Sequence, residues 1–228
     1  MSSKILRTVA VALLAFAVAF TALSAWGTVC VAWNAEAWSS FVALAPFKWA
    51  YQVLVYLNVA AAITGVVVVY AVLRGERWSF AGSIGTLLIY LTTAAAQMSL
   101  TSTLKHISFF STPPTNIRFY TTVIVLVFFL SLKLTSRKSE IFGRVRSSPM
   151  RMSAGLCIVV AGFTTLTVFF WIGPSHIVDG YNLVNVFKVP LVLGGGALSL
   201  IGVSLLALSS FGTRLQLCYH LAFKKRDF

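Results

Sequence analysis

The chain is poor in acid. Only five of its 228 residues are Asp or Glu against 18 Lys and Arg, and charged residues of both signs make up 10%. A soluble domain carries roughly 25% charged residues, so this chain has too few to cover a water-facing surface. All five acids (Glu36, Glu76, Glu140, Asp179 and Asp227) fall between or beyond the apolar stretches. That excludes a carboxylate proton relay, an ion-coupled transporter with a central acidic site and an intramembrane aspartyl or metalloprotease, because each needs ionisable groups at membrane depth.

Cysteine is scarce too. Cys30, Cys157 and Cys218 are scattered, with no CxxC pair, so neither a disulfide framework nor a thiolate zinc site is encoded. They read as small packing residues. There is no N-x-S/T acceptor for glycosylation. No catalytic motif is present, and the sequence calls for no cofactor.

What the chain has in excess is apolar: hydrophobic residues account for 58%. A membrane-crossing helix takes about 20 mostly apolar residues, and six stretches qualify: 5–30, 49–73, 80–104, 119–134, 152–171 and 189–211. Lys4 and Arg7, followed by an apolar run and small residues, resemble the start of a signal peptide. The run is longer than a signal's apolar core, however, and reads as a retained first helix. The third stretch is the most polar, with Thr92, Thr93, Gln97 and Ser99, and is the one to drop if only five cross.

The basic residues crowd into alternate connections. Lys4, Arg7, Arg74, Arg77, Lys133, Arg137, Lys138, Arg144, Arg146, Arg151, Arg214, Lys224, Lys225 and Arg226 fall on one side. Only Lys48, Lys105, Arg118 and Lys188 fall on the other. Positive charge marks the inside, so both termini are expected inside and the number of spans even. The expected fold is all-α: a polytopic integral membrane protein of six transmembrane helices arranged as three hairpins. Residues 1–228 form one helical domain, with a basic inside loop at 135–151 and a basic inside tail at 212–228. No loop is long enough for a soluble domain, and charge at helix ends rather than on one folded face argues against nucleic acid as a partner.

Candidate sites follow from what is polar or small within the spans. Gln52, Asn58 and Gln97 are uncharged polar residues placed to bridge helices by hydrogen bonds or to line a polar pathway. Ala61 with Gly65, Ala81 with Gly85, and Gly195 with Ser199 each put two small residues one helical turn apart, where helices can approach closely. Arg137, Lys138, Arg144, Arg146, Arg151, Lys224, Lys225 and Arg226 are placed to meet anionic lipid headgroups or an acidic partner on the inside. His106 and His176 share the outer side and are the one candidate ligand pair for haem or a metal ion. Solvated residues at helix ends are the plainer reading.

The run Tyr51-Gln-Val-Leu-Val-Tyr-Leu-Asn58 looks like the second helix of MARVEL-type four-helix membrane proteins, especially the Casparian-strip proteins. Leu88-Ile-Tyr-Leu-Thr-Thr-Ala-Ala-Ala96 is similar to their third helix, and Arg7 sits where their first-helix arginine would. The resemblance spans residues 5–136 and implies a scaffold that oligomerises in the membrane plane, without catalysis. Two departures accompany it: Gly85 stands near the place of the family's third-helix aspartate, and this chain continues for two further helices. The function expected is a non-enzymatic scaffold or accessory subunit of a membrane complex, either a homo-oligomer or joined to other membrane subunits. A channel or facilitator for a small neutral solute is the alternative, and a haem or metal redox subunit a third.

Overall fold

The computed structural model describes residues 3–112, 115–135, 147–173, 177–178 and 180–224. The chain is helical nearly throughout: α1 (Ser3–Asn34), α2 (Lys48–Arg74), α3 (Ser79–Lys105), α4 (Thr115–Leu134), α5 (Ser147–Leu166), the single turn α6 (Val168–Trp171) and α7 (Lys188–Lys224). Short 3-10 segments cover the α1–α2 connection, Phe109–Ser111 and Leu183–Phe187. The extended backbone is a two-residue ribbon, in which Ile177 and Val178 pair antiparallel with Asn182 and Tyr181 across Gly180.

Among the described residues, five candidate spans are long and apolar enough to cross a membrane: Ile5–Ala37, Ser39–Arg74, Ser79–Lys105, Thr115–Leu134 and Val184–Leu208. The polar third stretch is therefore a full helix of 27 residues, and the reason lies in where its hydroxyls go. Ser83 donates to Ser79 O, Thr92 and Thr93 to Ile89 O, and Ser102 to Ser99 O. Hydroxyls returned to their own helix present no unpaired group to an apolar neighbour. The short apolar segment is instead the fifth, Met152–Leu166. Thr164, Thr165 and Thr167 donate to carbonyls four residues back, a pattern that bends helices, and at Thr167 the helix breaks before α6.

Two helix ends explain the turns beside them. Gly75 takes a left-handed conformation at φ 71°, its N–H reaching Val72 O while Glu76 N–H reaches Ala71 O. This paired bonding satisfies the last carbonyls of α2 and sets up the tight turn into α3. His106 ends α3 the same way at φ 52°, with Ile107 N–H bonded to Ser102 O.

Helices α1–α4 form one bundle. Each presents a buried stripe at alternating spacings of three and four, as in Thr115, Arg118, Thr122, Val125, Phe129 and Leu132 of α4, so that one face turns inward along the whole length. Leu14, Val72, Leu87, Tyr90, Val125 and Phe129 fill its centre. The second unit is the hairpin of α5 and α7, which docks chiefly through α5 onto α1. Thr8 and Ser153 hydroxyls lie 3.4 Å apart, and the Cys157 thiol points at Val11 O at 3.8 Å.

The hairpin itself is held by glycine. A methyl group added at Gly162 would lie 2.5 Å from Ser199 Oγ, 2.6 Å from Ser199 N and 2.8 Å from Gly195 O. Seven residues away along each helix the arrangement repeats, with an added carbon at Gly202 falling 2.8 Å from Gly155 O. The two backbones touch directly at both levels, which only residues without a β-carbon permit.

Candidate functional site

Arg118 is the unexpected residue. Its place in the sequence suggests a charge reaching for the headgroup zone, yet its side chain is 1% exposed inside the α1–α4 bundle. Counted in the sequence among the charges at helix ends, Arg118 does lie in the first turn of α4, but its side chain turns into the bundle. The physical reason is register: Arg118 falls on the inward stripe of α4, three residues after Thr115 and four before Thr122.

The guanidinium is poorly matched. Nη2 donates to Thr93 Oγ1 at 3.4 Å, a long bond, while Nε and Nη1 have no hydrogen-bond partner. Among the described residues the acids are Glu36 and Glu76. Both are exposed at bundle ends, and Glu36 is bound to Lys48 at 2.7 Å. No described carboxylate therefore neutralises Arg118. A buried donor left unpaired costs about 1–3 kcal/mol, and more when it is charged.

Other polar groups surround the same level of the bundle. Thr93 follows Ser79, the start of α3, by 14 residues and precedes its end by 12, so at about 1.5 Å per residue it stands about 18–21 Å from either end. One turn on, Gln97 Nε2 donates to Thr28 Oγ1 at 2.9 Å, and Thr28 in turn donates to Ser24 O at 2.7 Å. One turn back, Tyr90 OH donates to Ala61 O at 3.2 Å, and Asn58 lies a turn from Ala61 on the same buried face of α2. These bonds tie α1 to α3, α2 to α3 and α3 to α4. Left over are Ser24 Oγ, both polar atoms of Asn58, Gln97 Oε1, and Nε and Nη1 of Arg118, all buried without a partner. The layer offers more donors and acceptors than its own side chains consume.

The residues singled out from sequence divide clearly. Asn58 and Gln97 belong to this layer. Gln52 does not; its Nε2 donates to Ala32 O at 2.9 Å and pins α2 to the end of α1. Gly65 is used within the chain, since an added carbon there would collide with the Tyr90 hydroxyl and with Val18. That glycine makes room for Tyr90 to reach Ala61. Ala81 and Gly85 face outward instead, and nothing lies within 4 Å of a carbon added at Gly85. Gly195 and Ser199 face Gly162 and Leu166 across the hairpin.

His106 is the exposed left-handed cap of α3, while His176 lies outside the described residues. Arg137, Lys138, Arg144, Arg146, Lys225 and Arg226 also lie outside them, whereas Arg151 falls in α5 and Lys224 closes α7. Arg7, read as a topology charge, is 4% exposed. It donates to Val72 O at 2.5 Å and Leu73 O at 3.0 Å, so its cation sits on the carbonyl end of α2, where the helix dipole favours it. No group of three or more His, Cys, Asp or Glu placed to hold a metal ion occurs among the described residues.

Sequence reasoning missed Arg118, Tyr90, Ser24 and Thr28 as members of one layer. The signal that finds them is the three–four spacing, which puts Arg118, Asn58 and Gln97 on the inward stripes of their helices. Comparison of the chain with protein-family models, with curated proteins and with solved structures gives no match.

Proposed function

We propose that the protein is a non-enzymatic, six-pass membrane protein that works as a scaffold or accessory subunit, assembling with copies of itself or with other membrane subunits. The observation that carries this reading is the partnering of α7. One edge of that helix packs on α5 through Gly195, Ser199 and Gly202. Its other side leaves Leu193 67% and Leu200 71% exposed, and Gly194 and Gly196 have open space where a side chain would go. A long apolar helix held by one neighbour is suited to a lipid or protein partner on its free side.

The six crossings rest on pairing as well as charge. Gly155 faces Gly202 and Gly162 faces Gly195, so α5 runs antiparallel beside α7, which supports a crossing by α5 as well. An even count puts both termini on the side rich in Lys and Arg, where the basic loop and tail meet anionic headgroups.

The test is native mass spectrometry of the gently extracted protein, first as wild type and then as Gly85→Leu and Gly196→Leu. Both substitutions project into open space, so the fold is retained and only an intermolecular face changes. Loss of assembly in either variant supports the reading, and a wild-type monomer without other polypeptides sinks it.

A second reading, a facilitator for a small solute, is favoured by the partnerless Asn58 and Gln97 atoms at one level of the bundle. Its test is solute flux in liposomes that Gln97→Leu abolishes.

A further inference from the structure

We propose that the layer at Arg118 is a binding site for a small monovalent anion, held between α1–α4 at the level where the first turn of α4 meets the middle of α3. This goes beyond the assembly role and does not depend on whether the anion crosses. Three observations carry it.

The first is charge. Arg118 is 1% exposed and no described carboxylate faces it. A permanently protonated guanidinium inside an apolar bundle is compensated by an opposite charge or by oriented carbonyls, and one cation without carbonyls calls for one negative charge. Water supplies hydrogen bonds but not that charge. Among the described residues the cations packed nearest the bundle core are Arg7 and Arg118. Arg7 already rests on the α2 carbonyls at the bundle's other end, so Arg118, with a single long bond to Thr93, is the one left uncompensated among the described residues.

The second is donor supply. Nε and Nη1 of Arg118 and Nδ2 of Asn58 are buried without acceptors. The two Arg118 nitrogens carry three of these N–H groups, enough to hold a halide or one edge of a small oxyanion such as formate or nitrate. Thr93 fixes the guanidinium through Nη2, leaving its other nitrogens to the ligand.

The third is selectivity. The bundle core around the layer is closed by Leu87, Tyr90, Met98 and Val125, all fully buried. Side chains packed this closely leave no room for a ligand of many atoms, which limits the proposal to an ion of a few atoms and rules out a sugar acid. Gln97 Oε1 is a further partnerless acceptor that repels negative charge, whereas the Ser24 hydroxyl donates as well as accepts; with one cation in the layer, a monovalent ligand is favoured.

The experiment uses the whole chain in nanodiscs of neutral lipid at constant ionic strength. Sodium gluconate is replaced stepwise by sodium chloride or sodium formate while unfolding is followed by tryptophan fluorescence. The midpoint is expected to rise saturably with chloride and with formate, because a ligand bound only by the folded state stabilises it. It should stay flat when gluconate is exchanged for sulfate. Line broadening of the chloride NMR signal on wild-type protein, reversed by formate, reads the same site without any variant. Arg118→Gln is expected to remove both effects; Arg118→Lys, which keeps the charge and loses the fork, should weaken the midpoint shift at least tenfold in concentration. A flat wild-type response with no line broadening overturns the proposal, as does a response that survives unchanged in either variant. An equal shift by sulfate also overturns it, because that marks a general salt effect.

Discussion

The glycines of α5 and α7 allow one substitution to be tested in two opposite settings. Gly162→Ala places a methyl group 2.5–2.8 Å from Ser199 Oγ, Ser199 N and Gly195 O. Carbon contacts are favourable only from about 3.5 Å outward, so the helices must separate by close to an ångström, and two of the three obstacles are backbone that cannot rotate away. Overpacking of this kind costs about 1–3 kcal/mol, and rigid backbone puts Gly162 at the upper end. Alanine in place of glycine returns about 1 kcal/mol of helix propensity. The net expectation for Gly162→Ala is therefore destabilisation by about 2 kcal/mol, or roughly 4–8 °C in unfolding midpoint for a chain of this length. Gly196→Ala meets nothing within 4 Å, keeps only the propensity gain, and should raise stability by about 1 kcal/mol. The assay is thermal unfolding of both variants and wild type in one detergent, with a cysteine pair across the hairpin to register separation of α5 from α7. Equal shifts of the same sign would refute the claim that the two backbones touch at Gly162.

Two further outcomes follow from the helix ends. Arg7→Leu removes the donor that meets Val72 O and Leu73 O and should lower stability by about 1.5–3 kcal/mol, the range for a charged hydrogen bond; denaturation in detergent measures it, and an unchanged midpoint would remove the capping role. His106→Gly relieves a side chain held at φ 52° and should stabilise the fold by about 1 kcal/mol. Absorbance in the haem region on the same two samples gives an independent check, since a capping histidine predicts no spectral difference between them.

Much of the fold could be read from the sequence because apolar length is a one-dimensional signal. Five of the six expected stretches, 5–30, 49–73, 80–104, 119–134 and 189–211, lie within described helices of similar or greater length. The remaining expected stretch, 152–171, is interrupted instead. Thr164, Thr165 and Thr167 count mildly in any hydropathy sum, yet their hydroxyls return to the backbone and the helix breaks at Thr167. The third was wrongly doubted for the mirror-image reason, its hydroxyls being satisfied internally. Partnership of small residues was less legible. The Ala81–Gly85 pair has the same spacing as Ala61–Gly65, but only the second faces a neighbour. Spacing says that a face is small; the helix's rotation decides what it meets.

Arg118 shows the same limit for charge, and also how to go past it. Counted along the chain it is one of four basic residues on the sparse side, and the tally is unchanged wherever its side chain points. Placed on a helix, it shares a stripe with Thr122, Val125 and Phe129, and a residue on that stripe can turn outward only if the whole helix does. Burying Phe129 and Leu132 therefore buries Arg118 as well, because α4 is one rigid element. The apolar residues of the stripe supply the drive to pack, and the guanidinium is carried into the core with them. Within the bundle it is fixed from α3 by Thr93, beside the Gln97–Thr28 bond that joins α3 to α1. A single substitution that turned α4 by one position would move Arg118 and Phe129 outward together, so the core packing and the charged layer should be lost in the same variants. Separate loss, with Phe129→Ala leaving the anion response intact at reduced stability, would show that the layer is held by its own hydrogen bonds rather than by the stripe.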